Sequence, residues 1–101
     1  LYRQHPDWIL QTPGRTDSHG RYQYVLDFSR REIVDYIYTM IAKILSEAKI
    51  SYIKWDMNRS ITECYSIAYP AERQGEIFHR YILGVYDLYE RLTSEFPKVL
   101  F

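Results

Sequence analysis

The sequence has little of what usually marks a function from composition alone: one cysteine, four glycines, four prolines and no excess of charge of either sign across 101 residues. A single thiol, Cys64, cannot form an internal disulfide, and such sparing use fits a reducing, cytoplasmic compartment. Lys plus Arg and Asp plus Glu stand at 13 each, so no net field draws the chain to nucleic acid or to an anionic membrane. No apolar run approaches the roughly 20 residues that a transmembrane helix needs. The three histidines, His5, His19 and His79, have no metal-ligand spacing, and neither a metal nor a cofactor is expected. No repeat, low-complexity tract or linker divides the chain, so one unit is expected. The opening Leu1-Tyr2-Arg3-Gln4-His5 lacks an initiator Met, a basic leader and an apolar stretch, the expectation for a segment cut from something longer.

What the chain does have is apolar and aromatic material. Hydrophobic residues make up 47% and charged ones 26%, a balance that argues for a packed core and against disorder. Aromatics reach 17%, with eleven Tyr, four Phe and two Trp. Aromatic faces stack on sugar rings, but each ring also buries a large area, and for any single Tyr packing is the weightier reading.

Along the chain, residues 1–22 are too often punctuated by Pro6, Pro13-Gly14 and Asp17-Ser18-His19-Gly20 to hold long elements. Gln23-Tyr24-Val25-Leu26-Asp27 is a short β-prone run. Ser29 followed by Glu32 has the form of a capping box, in which two side chains satisfy amide donors at a helix start. Behind it Ile33, Val34, Ile37, Met40, Ile41, Ile44, Leu45 and Ala48 recur at helical spacing, which predicts an amphipathic helix over 30–48. Ser51 to Asp56 reads as a strand, and residues 57–72, with Pro70, as a loop. A second helix is predicted over 72–95 from Ile77, Tyr81, Ile82, Val85, Leu88, Tyr89 and Leu92, stopped by Pro97. Val99-Leu100-Phe101 opens another buried strand. This alternation predicts an α/β fold with a parallel sheet.

Strand side chains alternate faces, which puts Tyr52, Lys54 and Asp56 on one side and Ile53 and Trp55 on the other, toward the helices. Two charges, Lys54 and Asp56, then lie near the C-terminal end of a strand expected to be buried, with Asn58 and Arg59 just beyond. Buried charge is costly unless paired. The pair reads either as a structural ion pair at a rim or as part of a site, and spacing alone leaves both open.

The string Tyr52-Ile53-Lys54-Trp55-Asp56-Met57-Asn58-Arg59 resembles the nucleophile motif of glycoside hydrolase family 36 α-galactosidases. The likeness extends, in order, through His5-Pro6-Asp7-Trp8, Gln23 to Arg30, Arg73-Gln74-Gly75-Glu76 and His79-Arg80-Tyr81, and so covers essentially the whole chain. It implies a partial (β/α)8 barrel: the loop after the third strand, third helix, fourth strand, fourth helix and the start of the fifth strand. In that register the 23–27 run belongs to the loop. The resemblance implies Asp56 as catalytic nucleophile of a retaining α-galactosidase, with Lys54, Asn58 and Arg21 binding the sugar. The implied partners are α-galactoside oligosaccharides of the melibiose and raffinose type. The acid/base carboxyl of the family is expected after the fifth strand, beyond Phe101.

Two other readings compete. The 101 residues could serve only as a folding or assembly module, or the parent could be a glycosidase of the same clan with another sugar preference. Unpaired edges on the 51–56 strand invite another chain, so a homo-oligomer is expected. Cys64 reads as a passive small residue, Trp55 as a packing residue, Trp8 as a packing residue or one close to the sugar, and Arg73, Glu76 and Arg80 as an ion-paired helix start. Asp27 is ambiguous between favouring the helix N-terminus and facing the cleft.

Overall fold

The computed structural model describes residues 1–16 and 20–101; Asp17, Ser18 and His19, which the sequence assigns to the turn-rich arm, lie outside them. Two α-helices dominate, α1 over Arg31–Glu47 and α2 over Ile77–Glu95, each close to its predicted span. Short 3₁₀ turns cover Pro6–Trp8 and Ala71–Glu76, so the predicted start of the second helix at 72 is a tighter turn that relaxes into α2 at Ile77. Gly75 falls within that turn. Its conformational freedom disfavours a regular helix start there.

The apolar stripes of both helices meet. Val34, Leu45, Leu88 and Leu92 are buried together, and Phe28, Ile37, Ile41, Ile53, Phe96 and Val99 pack around them. Burying a side chain of this size contributes about 1.5–3 kcal/mol, so these four are a main source of the fold's stability. Arg91 locks the helices on the polar side: it bonds Asp35 at 2.6 Å and Asp87 at 3.3 Å while its guanidinium lies over the Tyr38 ring. Phe28, just before α1, meets Gly84 early in α2, and Asp35 meets Arg91 further along. The two helices therefore run in the same sense.

The expected strands are reduced to single bridges. Tyr52 pairs in parallel with Leu100, through Ile53 N–H to Leu100 O at 2.7 Å and Leu100 N–H to Ser51 O at 2.9 Å. A strand needs a ladder, and among the described residues 51–56 finds only this partner, so the predicted regular strand is not formed. The 23–27 run likewise makes only isolated antiparallel bridges, Gln23 with Gly20 and Leu26 with Ile9. The architecture is thus largely helical, with one parallel pairing where the sequence predicts two strands of a sheet.

The capping box is also replaced. Arg30 is the N-cap of α1 and no side chain caps it. Ser29 instead donates its hydroxyl to Asp27, and Glu32 accepts from Arg30 at 2.7 Å. Arg30 also reaches back to the Asp7 carbonyl at 2.7 Å and so pins the arm to the helix start. The chain is elongated, 44 × 26 × 23 Å, with a radius of gyration of 14.7 Å where about 13 Å suits a compact chain of this length.

Candidate functional site

Lys54 and Asp56 project from the same side of the 51–56 segment, as alternation requires, and their side chains form an ion pair at 3.5 Å. They are not buried as the sequence predicts: the side chains are 75% and 49% exposed. Leu100 pairs this segment on one edge, and among the described residues nothing pairs the other. An ion pair this exposed contributes about 0–1 kcal/mol. Stability is therefore a poor account of why two charges stand there.

Two residues on from Asp56, Asn58 accepts a hydrogen bond from Arg21 Nη1 at 3.0 Å. Arg21 comes from a tight turn. Gln23 N–H bonds Gly20 O at 3.0 Å, and the two residues between, Arg21 and Tyr22, have φ of 54° and 60°. Positive φ at both central positions is the signature of a type I′ turn, normally filled by Asn or Gly. Each larger residue there costs roughly 1–2 kcal/mol. That strain is held at the very residue that reaches across to Asn58, and backbone strain of this kind clusters where a side chain must be aimed.

Asp56 and Asn58 line an open cleft of about 210 Å³ together with Gln23 to Leu26, Phe28 and Tyr81. Asp56 also borders an adjoining, more apolar cavity of about 270 Å³ with Trp55, Ile82, Val85 and Tyr89. Trp55 packs edge-on against Tyr89 at 5.1 Å, which agrees with its predicted helix-facing direction although it remains 37% exposed. Burial pushes the Tyr81 hydroxyl above its usual range, and the Tyr89 hydroxyl likewise. Both stay protonated at neutral pH and can donate hydrogen bonds. Burial, and then the Asp27 charge, push the Cys64 thiol up, which suits its reading as a passive residue.

The four residues singled out from the sequence form two pairs, Lys54 with Asp56 and Arg21 with Asn58, and Asp56 and Asn58 line one cleft. Trp8 lies elsewhere, stacked on His5 at 4.0 Å and edge-on to Tyr36 at 5.1 Å. Asp27 neither serves the helix N-terminus nor faces the cleft; it is buried at 1% exposure and bonds Ser29 and Ser66. Sequence reasoning missed Ser66, and the one signal for Asp27 was its spacing to Ser29, the pattern of an Asx turn. Among the described residues no group of three or more His, Cys, Asp or Glu is placed to hold a metal, and no helix is long and apolar enough to cross a membrane. Arg73, Glu76 and Arg80 form the expected ion-paired helix start, with Glu76 held below the usual carboxylate range by its bonds to Arg73 and then Arg80.

Comparison with known proteins is unambiguous over this whole span. Alpha-galactosidase 1 of Pediococcus pentosaceus is 50% identical over 101 residues, all of this chain and 14% of its own length. Alpha-galactosidase AgaA of Geobacillus stearothermophilus is 54% identical over the same span, again 14% of its length. The crystal structure of that family 36 enzyme superimposes with a TM-score of 0.94 at 52% identity over 97% of this chain and 14% of that one. A second crystal structure of AgaA, in complex with raffinose, gives a TM-score of 0.95 over 98% of this chain and 14% of that one. The melibiase family model matches residues 1–101, and the chain belongs to that family. It spans about a seventh of the length of these relatives.

Proposed function

We propose that residues 1–101 form part of the catalytic barrel of a retaining α-galactosidase and carry its nucleophile, Asp56. A parallel Tyr52–Leu100 bridge between segments joined through α2, with α1 and α2 running in the same sense, is how consecutive β/α units of a barrel are laid out. On that reading α1 and α2 are the third and fourth helices, Ser51 to Asp56 the fourth strand, and Val99 to Phe101 the start of the fifth. Barrel enzymes place their chemistry at the C-terminal ends of strands, where Asp56 stands.

The observation that carries the reading is that two residues of one cleft, Asp56 and Asn58, are each partnered by a cation, Asp56 by Lys54 and Asn58 by Arg21. These groups offer a carboxylate nucleophile flanked by donors for sugar hydroxyls. An Asp56 carboxylate oxygen bonds to the anomeric carbon as the glycosidic C–O bond breaks, and a second carboxylic acid, expected beyond Phe101, protonates the departing oxygen. Water then cleaves the glycosyl ester, deprotonated by that same second carboxyl, and the two carboxyls lie about 5 Å apart in retaining enzymes. Lys54, Asn58 and Arg21 bind the galactosyl hydroxyls. Solved relatives include complexes with raffinose and with stachyose, which supports terminal α-galactosyl oligosaccharides of the melibiose and raffinose type as substrates.

The experiment is replacement of Asp56 by Ala in the whole enzyme, with azide added. Loss of turnover and azide-dependent formation of the β-galactosyl azide are expected. Undiminished turnover would overturn the assignment.

A further inference from the structure

Asp27 is a carboxylate that the proposed chemistry does not use, yet it is among the most deeply enclosed polar side chains of the chain, 1% exposed. A buried carboxylate is tolerated only when its oxygens are met by donors. Here one oxygen accepts from the Ser29 amide at 3.1 Å and from the Ser29 hydroxyl, and the other accepts from the Ser66 hydroxyl. The first two bonds are local. The third joins segments 39 residues apart.

Both ends of this strap are fixed. Ser66 is completely buried, and Gln74 holds it by accepting from its amide at 3.0 Å and donating to its carbonyl at 2.8 Å. Tyr69 donates to the Ser29 carbonyl at 2.9 Å, a second tie between the same two segments. The Phe28 carbonyl lies so close to α2 that a Cβ built on Gly84 would sit 1.9 Å from it. The 27–29 turn is therefore anchored, and Ser66 with it. Toward the cleft the same two segments carry the paired residues: Arg21 on the hairpin before Asp27, Asn58 on the loop before Ser66. The arm reinforces this, with Leu10 N–H on Val25 O at 2.9 Å and Gln11 N–H on Tyr65 O at 3.0 Å.

We propose that Asp27 is a positioning residue whose strap to Ser66 sets the distance at which Arg21 meets Asn58 over the substrate cleft. The proposal rests on the reading of Arg21 and Asn58 as galactoside-binding groups. Arg21 stands on a turn with positive φ at two non-glycine residues, which persists only when its surroundings over-determine it; the Arg59 side chain closes on Gly20 beside it, and the strap is the fully buried side-chain tie between that arm and the segment that follows Asn58.

A double-mutant cycle in the whole enzyme tests this, with kcat and KM measured for a nitrophenyl α-galactoside. Ser66→Ala is expected to raise KM about tenfold, within what a misplacement of roughly 1 Å can cost, and to leave kcat nearly unchanged. In an Arg21→Ala background the same change is expected to add nothing, because the strap acts through Arg21. Should Ser66→Ala fail to fold, Ser66→Cys, which keeps the shape but offers Asp27 only a weak S–H donor, carries the same cycle. An unmoved KM, or effects of the two changes that multiply, would overturn the strap. Asp56→Ala, run alongside, separates the two levels: surviving turnover there would overturn the underlying reading, whatever Ser66→Ala does.

Discussion

Arg21 Nη1 and Asn58 Oδ1 lie 3.0 Å apart although 37 residues separate them in sequence. The bond joins a strained hairpin tip to the residue two beyond Asp56. Replacing Arg21 with Ala in the whole enzyme is expected to lower kcat/KM by roughly 10- to 150-fold, the equivalent of the about 1.5–3 kcal/mol that a charge-assisted hydrogen bond contributes. Arg21→Lys should recover little of it, since an ammonium does not reproduce a planar guanidinium. Steady-state kinetics on a nitrophenyl α-galactoside decides it.

Loss of the Asp56 carboxylate should be far more severe. Asp56→Ala is expected to reduce turnover by about 10⁴- to 10⁶-fold, the scale on which removal of a nucleophile acts. Lys54→Ala should leave measurable turnover. Comparable losses in the two variants would contradict the assignment of roles.

At Gly84 the demand is steric. Adding a Cβ there meets the Phe28 carbonyl oxygen at 1.9 Å, and backbone cannot yield as a side-chain tip can. Gly84→Ala is expected to destabilise the fold by at least about 1–3 kcal/mol, the usual cost of overpacking. Thermal unfolding should register this, while Gly14→Ala acts through its positive φ of 77° and open surroundings rather than through a clash.

The Cys64 thiol, pushed up by burial and then by the Asp27 charge, should react slowly with iodoacetamide at neutral pH. Thiolate is the reacting form, so the rate should climb only at a pH above that at which an ordinary cysteine titrates. Asp27→Asn removes the smaller cause and should bring the midpoint part of the way down. A midpoint at or below the ordinary value would refute this.

The helices were legible because Ile33, Val34, Leu45, Leu88 and Leu92 recur at helical spacing, and that periodicity needs no partner to be read. The 51–56 strand was not fully realised, because a ladder depends on neighbours and among the described residues only Leu100 answers Tyr52. Ser29 misled as a cap because its pattern with Glu32 is local, while the group that takes its hydroxyl, Asp27, offers a better acceptor nearby. The alternating faces of Lys54 and Asp56 were legible from strand geometry. The meeting of Arg21 with Asn58 was not, since no spacing rule links them; Asn58 stood out by its place beyond the strand end, and Arg21 by the family resemblance alone. Ser66 carried no signal at all, for its importance lies in a partner distant in sequence.

Exposed apolar side chains set expectations for the 101 residues on their own. Met40, Ile44, Phe78, Leu83 and Tyr86 face outward on the two helices, and the Tyr52 edge is open beyond Leu100. Such surfaces drive association. The isolated chain is expected to self-associate or to unfold without a sharp transition, and to show no α-galactosidase turnover. A clean monomer in sedimentation at high concentration, melting cooperatively, would contradict this.

The Tyr52–Leu100 bridge also bears on the order in which the chain acquires its structure. Its two sides cannot meet until the whole of α2 and the loop before it have been brought back alongside, and closing so long a segment costs entropy before any contact compensates. Helical turns form locally and within about a microsecond. The parallel pairing is therefore expected to form after α2 has docked Leu88 and Leu92 against Val34 and Leu45, so the segment bearing Asp56 takes its final course only once Leu100 is alongside.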